Sequence, residues 1–158
     1  MVRPRMGNSV AYAILMTVQT AAALHLFWVV YPVFRGVLTR LGEYQELDPS
    51  THVAILGGVI VLHCSYWSRL RWVSVTPPFH SIFVSHLCSF AGRVCFLFSG
   101  AFFSAIFFRH LPELDSFPPF GQALIKALYV AAILFSFFCY SLELERLGKA
   151  MGDSTRKV

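Results

Sequence analysis

The sequence predicts an all-α integral membrane protein with four transmembrane helices in a single domain over residues 1–158. Hydrophobic residues make up 56% of the chain and charged residues only 13%, which is too little polar surface for a soluble domain of this length. Four long stretches contain no charged residue: 6–34, 49–68, 72–92 and 127–142. Because a spanning helix needs about 20 apolar residues, stretches of this kind indicate that most of the chain lies in a membrane.

The first two spans are predicted at about residues 9–34 and 52–72. The first is longer than the apolar core of a cleavable signal peptide and more hydrophobic segments follow it, so we expect it to remain in the mature protein. The second follows Asp48-Pro49-Ser50-Thr51, which offers an N-cap side chain and a proline suited to the first helical turn. It ends in an aromatic and cationic belt typical of a membrane interface: Tyr66, Trp67, Arg69, Arg71 and Trp72.

The third and fourth spans are predicted at about residues 79–108 and 119–142, and both begin at a Pro-Pro-Phe sequence. Beyond the fourth span, residues 143–151 place Leu144, Leu147 and Met151 on one helix face. This pattern predicts an amphipathic C-terminal extension that lies on the membrane or on a partner subunit.

The lysines and arginines of the loops predict the orientation. Eight fall on the side of the two termini and three, Arg35, Arg40 and Arg109, on the other side. The bias predicts both termini on the cytoplasmic side, or on the matrix side of a mitochondrial membrane. The eight are Arg3, Arg5, Arg69, Arg71, Arg146, Lys149, Arg156 and Lys157.

Arg93 is the most informative single residue, because a helix that starts near Pro78 places it about halfway across the membrane. Ser81, Ser85 and Ser89 precede it at intervals of four residues, so the hydroxyl groups and the charge share one helix face. Such a face packs against other helices because lipid cannot satisfy it. No acidic residue of the chain is expected at the depth of Arg93.

Two interpretations of Arg93 stay open. In one, the membrane part of the helix begins later and the side chain extends to the interface. In the other, the guanidinium meets an acid of another subunit, a lipid phosphate or a cofactor carboxylate. The residues expected to contact lipid or partners are Gln19, Ser85, Ser89, Arg93 and Lys126.

His63 and His86 fall at matching depth on the second and third helices. Two neutral imidazoles at one depth, with Arg93 seven residues after His86 for a propionate, are compatible with a b-type haem. The alternative is that each histidine only forms a hydrogen bond between helices. We expect no cofactor, with haem b as the alternative.

The sequence does not favour other chemistry. It contains no paired metal-ligand spacing, and its four cysteines are expected to be small packing residues. It shows no nucleophile elbow, phosphate-binding loop or nucleic-acid motif, so we expect no catalytic residues, no metal and no nucleic-acid partner. The net charge of +5 fits contact with anionic phospholipid.

Three functions remain compatible with the sequence. The favoured one is a non-catalytic subunit of a larger membrane complex, respiratory or otherwise bioenergetic, in a bacterial plasma membrane or a mitochondrial inner membrane. The second is a haem b electron-transfer subunit that uses His63 and His86. The third is a homo-oligomeric channel or carrier with Arg93 and Gln19 along an anion path.

Overall fold

Four α-helices form the protein, as shown by a computed structural model that describes residues 6–39, 47–77, 79–110 and 120–153. The helices are α1 (Met6–Thr39), α2 (Pro49–Trp72), α3 (Ile82–His110) and α4 (Phe120–Asp153). Each contains a segment long and apolar enough to cross a membrane: Ser9–Thr39, Pro49–Trp72, Ile82–Phe108 and Leu124–Gly152. The predicted all-helical fold with four such helices is confirmed, and it is consistent with a multi-pass integral membrane protein.

Several helix ends differ from the predicted spans. α1 continues beyond residue 34 to Thr39 with Pro32 inside the helix, and α3 begins at Ile82 rather than at residue 79. At the start of α2, the Asp48 carboxylate accepts a hydrogen bond of 3.2 Å from the Ser50 backbone N–H, as predicted for an N-cap.

α4 runs unbroken to Asp153 and contains the segment predicted as an amphipathic extension of the fourth helix, residues 143–151. Leu144, Leu147 and Met151 are buried within the chain. Leu147 and Met151 pack with Tyr12 of α1 in a small apolar cluster. This face is therefore covered by the chain's own helices.

The helices are arranged as two antiparallel hairpins that lie side by side. α1 packs mainly on α2, and α3 packs mainly on α4. α2 also packs along α4, and α1 along α3, whereas α2 and α3 share few contacts. α1 therefore begins, and α4 ends, at one end of the bundle, which we call the terminal end.

Glycines allow close approach within both hairpins. A Cβ atom at Gly58 of α2 would lie 2.8 Å from Leu26 Cδ2 of α1. One at Gly148 of α4 would lie 2.9 Å from the Ser85 carbonyl oxygen of α3. Both distances are shorter than a carbon contact permits, so small residues set the spacing of these helices.

Apolar side chains fill the bundle and also cover its outside. Leu26, Leu62 and Phe137 are at most 1% exposed in the central cluster. Outside, large apolar residues are exposed on all four helices, and α3 is the most open, with Leu97 and Phe108 each 68% exposed. Such a surface suits a lipid environment.

Candidate functional site

A buried ion pair joins α2 to α4 near the terminal end of the bundle. The Arg69 guanidinium contacts the Glu143 carboxylate, and their side chains are 6% and 0% exposed. The Tyr12 hydroxyl of α1 donates a hydrogen bond of 3.3 Å to Glu143 Oε1. Three helices thus meet at one carboxylate.

Arg146 extends this cluster toward the surface. Its Nη1 lies 4.0 Å from Glu143 Oε2, one helical turn away on α4, and its side chain is 43% exposed. Glu143 therefore faces two guanidinium groups, one buried and one at the edge of the bundle. Desolvating both partners is costly, so such a pair survives only where the fold holds both side chains in position.

The sequence analysis did not identify this cluster. It assigned Arg69 to the interface belt and Glu143 to an extension outside the bundle. The available signal was depth: both residues end a long uncharged stretch, and α2 and α4 run in the same direction. Which way each side chain turns about its helix axis could not be deduced from depth.

Arg93 lies on the outer face of α3, beside an open groove between α3 and α4 of about 350 Å³. Glu145 of α4 lines the same groove, so the expectation that no acid lies at the depth of Arg93 is wrong. Neither residue forms an ion pair within 4 Å among the described residues. The remaining lining residues are Phe96, Leu97, Phe138, Ser141 and Leu142.

Arg69, Arg93, Glu143 and Glu145 lie at a similar height along the bundle, and we call these four residues the charged layer. Arg69 is paired with Glu143, and Arg93 and Glu145 share a groove with Ser141. The layer lies about 10 residues from the end of α4 at Asp153, or roughly 15 Å at 1.5 Å per residue.

His63 packs on α4 rather than on α3. Its Nε2 lies 3.2 Å from the Ser136 hydroxyl oxygen, and its ring stacks on Phe135 at 5.4 Å between centroids. Because the Ser136 hydroxyl donates to the Ala132 carbonyl at 2.8 Å, we assign His63 Nε2 as the donor in the first contact. Nδ1 is buried without a hydrogen-bond partner among the described residues.

His86 is exposed on α3, which shares few contacts with α2. None of the described contacts brings His86 to His63. Arg93 does follow His86 on the same outer face of α3, as the spacing of seven residues predicted.

The other predicted contact residues occupy different surfaces. Gln19 is 1% exposed inside the bundle, and both of its amide atoms lack a hydrogen-bond partner among the described residues. Ser85 donates a hydrogen bond of 2.7 Å to the Gly148 carbonyl, and Ser89 also faces Gly148. Lys126 is exposed on α4. Arg93 and Gln19 therefore do not line a common path.

The described residues contain no group of three or more His, Cys, Asp or Glu side chains arranged to hold a metal ion. The four cysteines are free thiols, and Cys139 is buried in the central cluster. The cluster around Glu143 links three helices through an ion pair and a hydrogen bond.

Comparison of the chain with models of protein families, with curated proteins and with solved structures gives no match. The fold defines a bundle of four helices that are each long and apolar enough to span a membrane, which is consistent with an integral membrane protein.

Proposed function

We propose that the protein is a non-catalytic subunit of a larger membrane protein complex, of the respiratory or other bioenergetic kind. The bundle provides a compact module whose inner polar groups connect its own helices. The proposal depends on one outer surface, the apolar face of α3 near the terminal end, which we call the α3 face and define as Ile82, Phe83, Leu87 and Phe90.

We use the charged layer to locate the membrane border along the bundle. Between Leu124 and Glu143, α4 rises roughly 29 Å, and between Arg93 and His110, α3 rises roughly 26 Å. Both lengths match a hydrocarbon thickness of about 30 Å. We therefore place the border at the charged layer, with Arg93 at the interface rather than halfway across the membrane.

The α3 face lies beyond this border. Ser85, in the same stretch of α3, is hydrogen-bonded to the Gly148 carbonyl, and the neighbouring Arg146 and Lys149 are exposed. The face is thus level with charged residues, although Ile82, Phe83, Leu87 and Phe90 are between 53% and 75% exposed. His86 is an exposed polar side chain within this otherwise apolar face. Four large apolar side chains exposed at such a height require a cover, and we assign it to a largely apolar helix of another subunit.

Site-specific photocrosslinking in the native membrane tests this proposal. A photoreactive phenylalanine analogue replaces Phe83 or Leu87 and, as the matched control, Ile60, which is 59% exposed halfway along α2. We expect positions 83 and 87 to give one discrete protein adduct of the same mass, because one subunit covers both. The Ile60 position faces lipid and should give no discrete protein adduct.

Two results would reject the accessory role. The first is the absence of an adduct at positions 83 and 87 together with migration of the chain as a monomer on native gels. The second is an adduct of the chain with itself, which would favour the homo-oligomeric channel or carrier. Ion flux into liposomes, compared with the Arg93→Ala variant, would then test that function.

The haem b alternative has its own test. His63 Nε2 contacts the Ser136 hydroxyl, and His86 faces outward. This arrangement does not favour a haem shared by the two histidines. We expect gently extracted protein to have no Soret band. A reduced b-type spectrum that is lost in both His63→Ala and His86→Ala would establish the haem subunit instead.

A further inference from the structure

We propose that the groove between α3 and α4 binds one phospholipid with a primary-amine headgroup, with its phosphate at Arg93 and its ammonium group at Glu145. This inference concerns a lipid site and does not depend on the accessory role. It requires only that the bundle spans a membrane with its border at the charged layer.

The polarity of the groove changes along the bundle axis in the direction that a lipid needs. Arg93 and Glu145 line the end nearer the terminal end of the bundle. Leu97 lies one helical turn further along α3, and Phe138 about two turns further along α4, both toward the membrane interior. A headgroup at the border therefore has its acyl chain directed along apolar side chains, which a soluble phosphate ester could not use.

Aromatic contacts form the floor of the apolar part. The rings of Phe96 on α3 and Phe138 on α4 lie 6.5 Å apart between centroids. Both side chains remain substantially exposed, at 55% and 40%. They close the space between the helices without filling the groove above them, which leaves a surface on which an acyl chain can pack.

The two charges select the headgroup. Neither Arg93 nor Glu145 forms an ion pair with another described residue, so both are available to a ligand. A guanidinium binds phosphate oxygens through directed N–H donors. The carboxylate beside it attracts a primary ammonium and accepts its hydrogen bonds. The neutral glycerol of phosphatidylglycerol offers only hydroxyl donors and leaves the negative charge of that lipid uncompensated beside the carboxylate. A choline headgroup carries the positive charge but no N–H donor.

Native mass spectrometry of the delipidated full-length protein tests this site. The probe is an equimolar mixture of dioleoyl phosphatidylethanolamine, phosphatidylglycerol and phosphatidylcholine. We expect phosphatidylethanolamine adducts to exceed phosphatidylglycerol adducts about two- to fivefold, the range set by one partly exposed charge pair. The Glu145→Gln variant should lose that preference, and Arg93→Gln should reduce adducts of all three lipids.

Matched controls separate this site from general lipid binding. Arg71→Gln, which removes an exposed arginine of α2, should leave the preference unchanged. Soluble phosphoethanolamine in excess should not displace the bound lipid, because it lacks the acyl chain that packs in the groove.

Several outcomes would overturn the proposal. One is preferential binding of phosphatidylglycerol to the wild-type protein, and another is an unchanged preference in Glu145→Gln. Displacement by phosphoethanolamine would indicate a site for a soluble phosphate ester. Lipid binding that is unaffected by Arg93→Gln would also reject the lipid site. If that variant then lost the protein adduct at positions 83 and 87, the groove would be assigned to a partner subunit.

Discussion

Glu143 shows what a single buried charge contributes to a membrane bundle. Apolar contacts between helices compete with equally apolar lipid tails, so they specify register weakly. Glu143 instead contacts Arg69 of α2 and Tyr12 of α1, and a shift of either helix by one turn would leave a charge unpaired. The ion pair therefore mainly specifies the register in which the helices pack. Its net contribution to stability is reduced by the cost of desolvating both charges.

Removing only one partner of this pair should be strongly destabilising. Glu143→Gln leaves the Arg69 charge buried and unpaired, which costs about 3–5 kcal/mol of unfolding free energy. We expect the double variant Arg69→Met/Glu143→Gln to recover most of that loss. The measurement is reversible unfolding of the purified variants in detergent.

Glu145→Gln is the matched control for this prediction, because it makes the same change two residues further along α4 at a partly exposed position. It should change the unfolding free energy by less than about 0.5 kcal/mol. Equal losses in the two single variants, or no recovery in the double variant, would show that the buried pair has no special role.

The packing of α3 on α4 shows which part of an element can be predicted. The interval of four residues between Ser85 and Ser89 predicted a small polar face for helix packing, and the structure places both against Gly148. The complementary surface, Gly148 and Gly152, was hidden because the charged residues after Leu142 suggested the membrane surface. Close packing requires small residues on both helices, so the sequence of one helix does not reveal which small residues of the other helix it contacts.

Gly148→Ala should weaken this hairpin. The added Cβ would lie 2.9 Å from the Ser85 carbonyl oxygen and 2.8 Å from Ser89 Oγ, and the carbonyl belongs to a helix backbone that cannot simply turn away. Overpacking of this kind costs about 1–3 kcal/mol. Thermal unfolding in detergent should show a lower midpoint for this variant than for the wild type.

Gly100→Ala provides the control in α3. A Cβ at Gly100 has no atom within 4 Å, so the substitution should stabilise the helix by up to about 1 kcal/mol through helix propensity. A similar change in midpoint for both alanine variants would contradict the inferred close contact at Gly148.

At the scale of the whole molecule, the number of spans could be predicted from uncharged length, but the arrangement of the hairpins could not. Uncharged stretches record where each helix lies along the membrane normal. They do not record that α2 lies beside α4 while α2 and α3 share few contacts. His63 and His86 illustrate the limit: their depth is similar, but His63 faces α4 and His86 faces outward.

The orientation of the bundle is the remaining property of the whole molecule that the charges predict. The structure pairs Arg69 with Glu143 inside the bundle but also places Arg93 at the same height, so the terminal end keeps its excess of positive charge. Both termini should therefore lie in the cytoplasm of an expressing bacterium.

A fluorescent protein fused after Val158 should fluoresce, and alkaline phosphatase inserted at residue 44 should be active, because each reporter works on one side of the membrane only. Replacing Arg35 and Arg40 by glutamine should leave this pattern unchanged, since it removes charge from the poorer side. Replacing Arg146, Lys149, Arg156 and Lys157 by glutamine should let part of the population invert. Phosphatase activity from a fusion after Val158 of the wild-type chain would contradict the orientation.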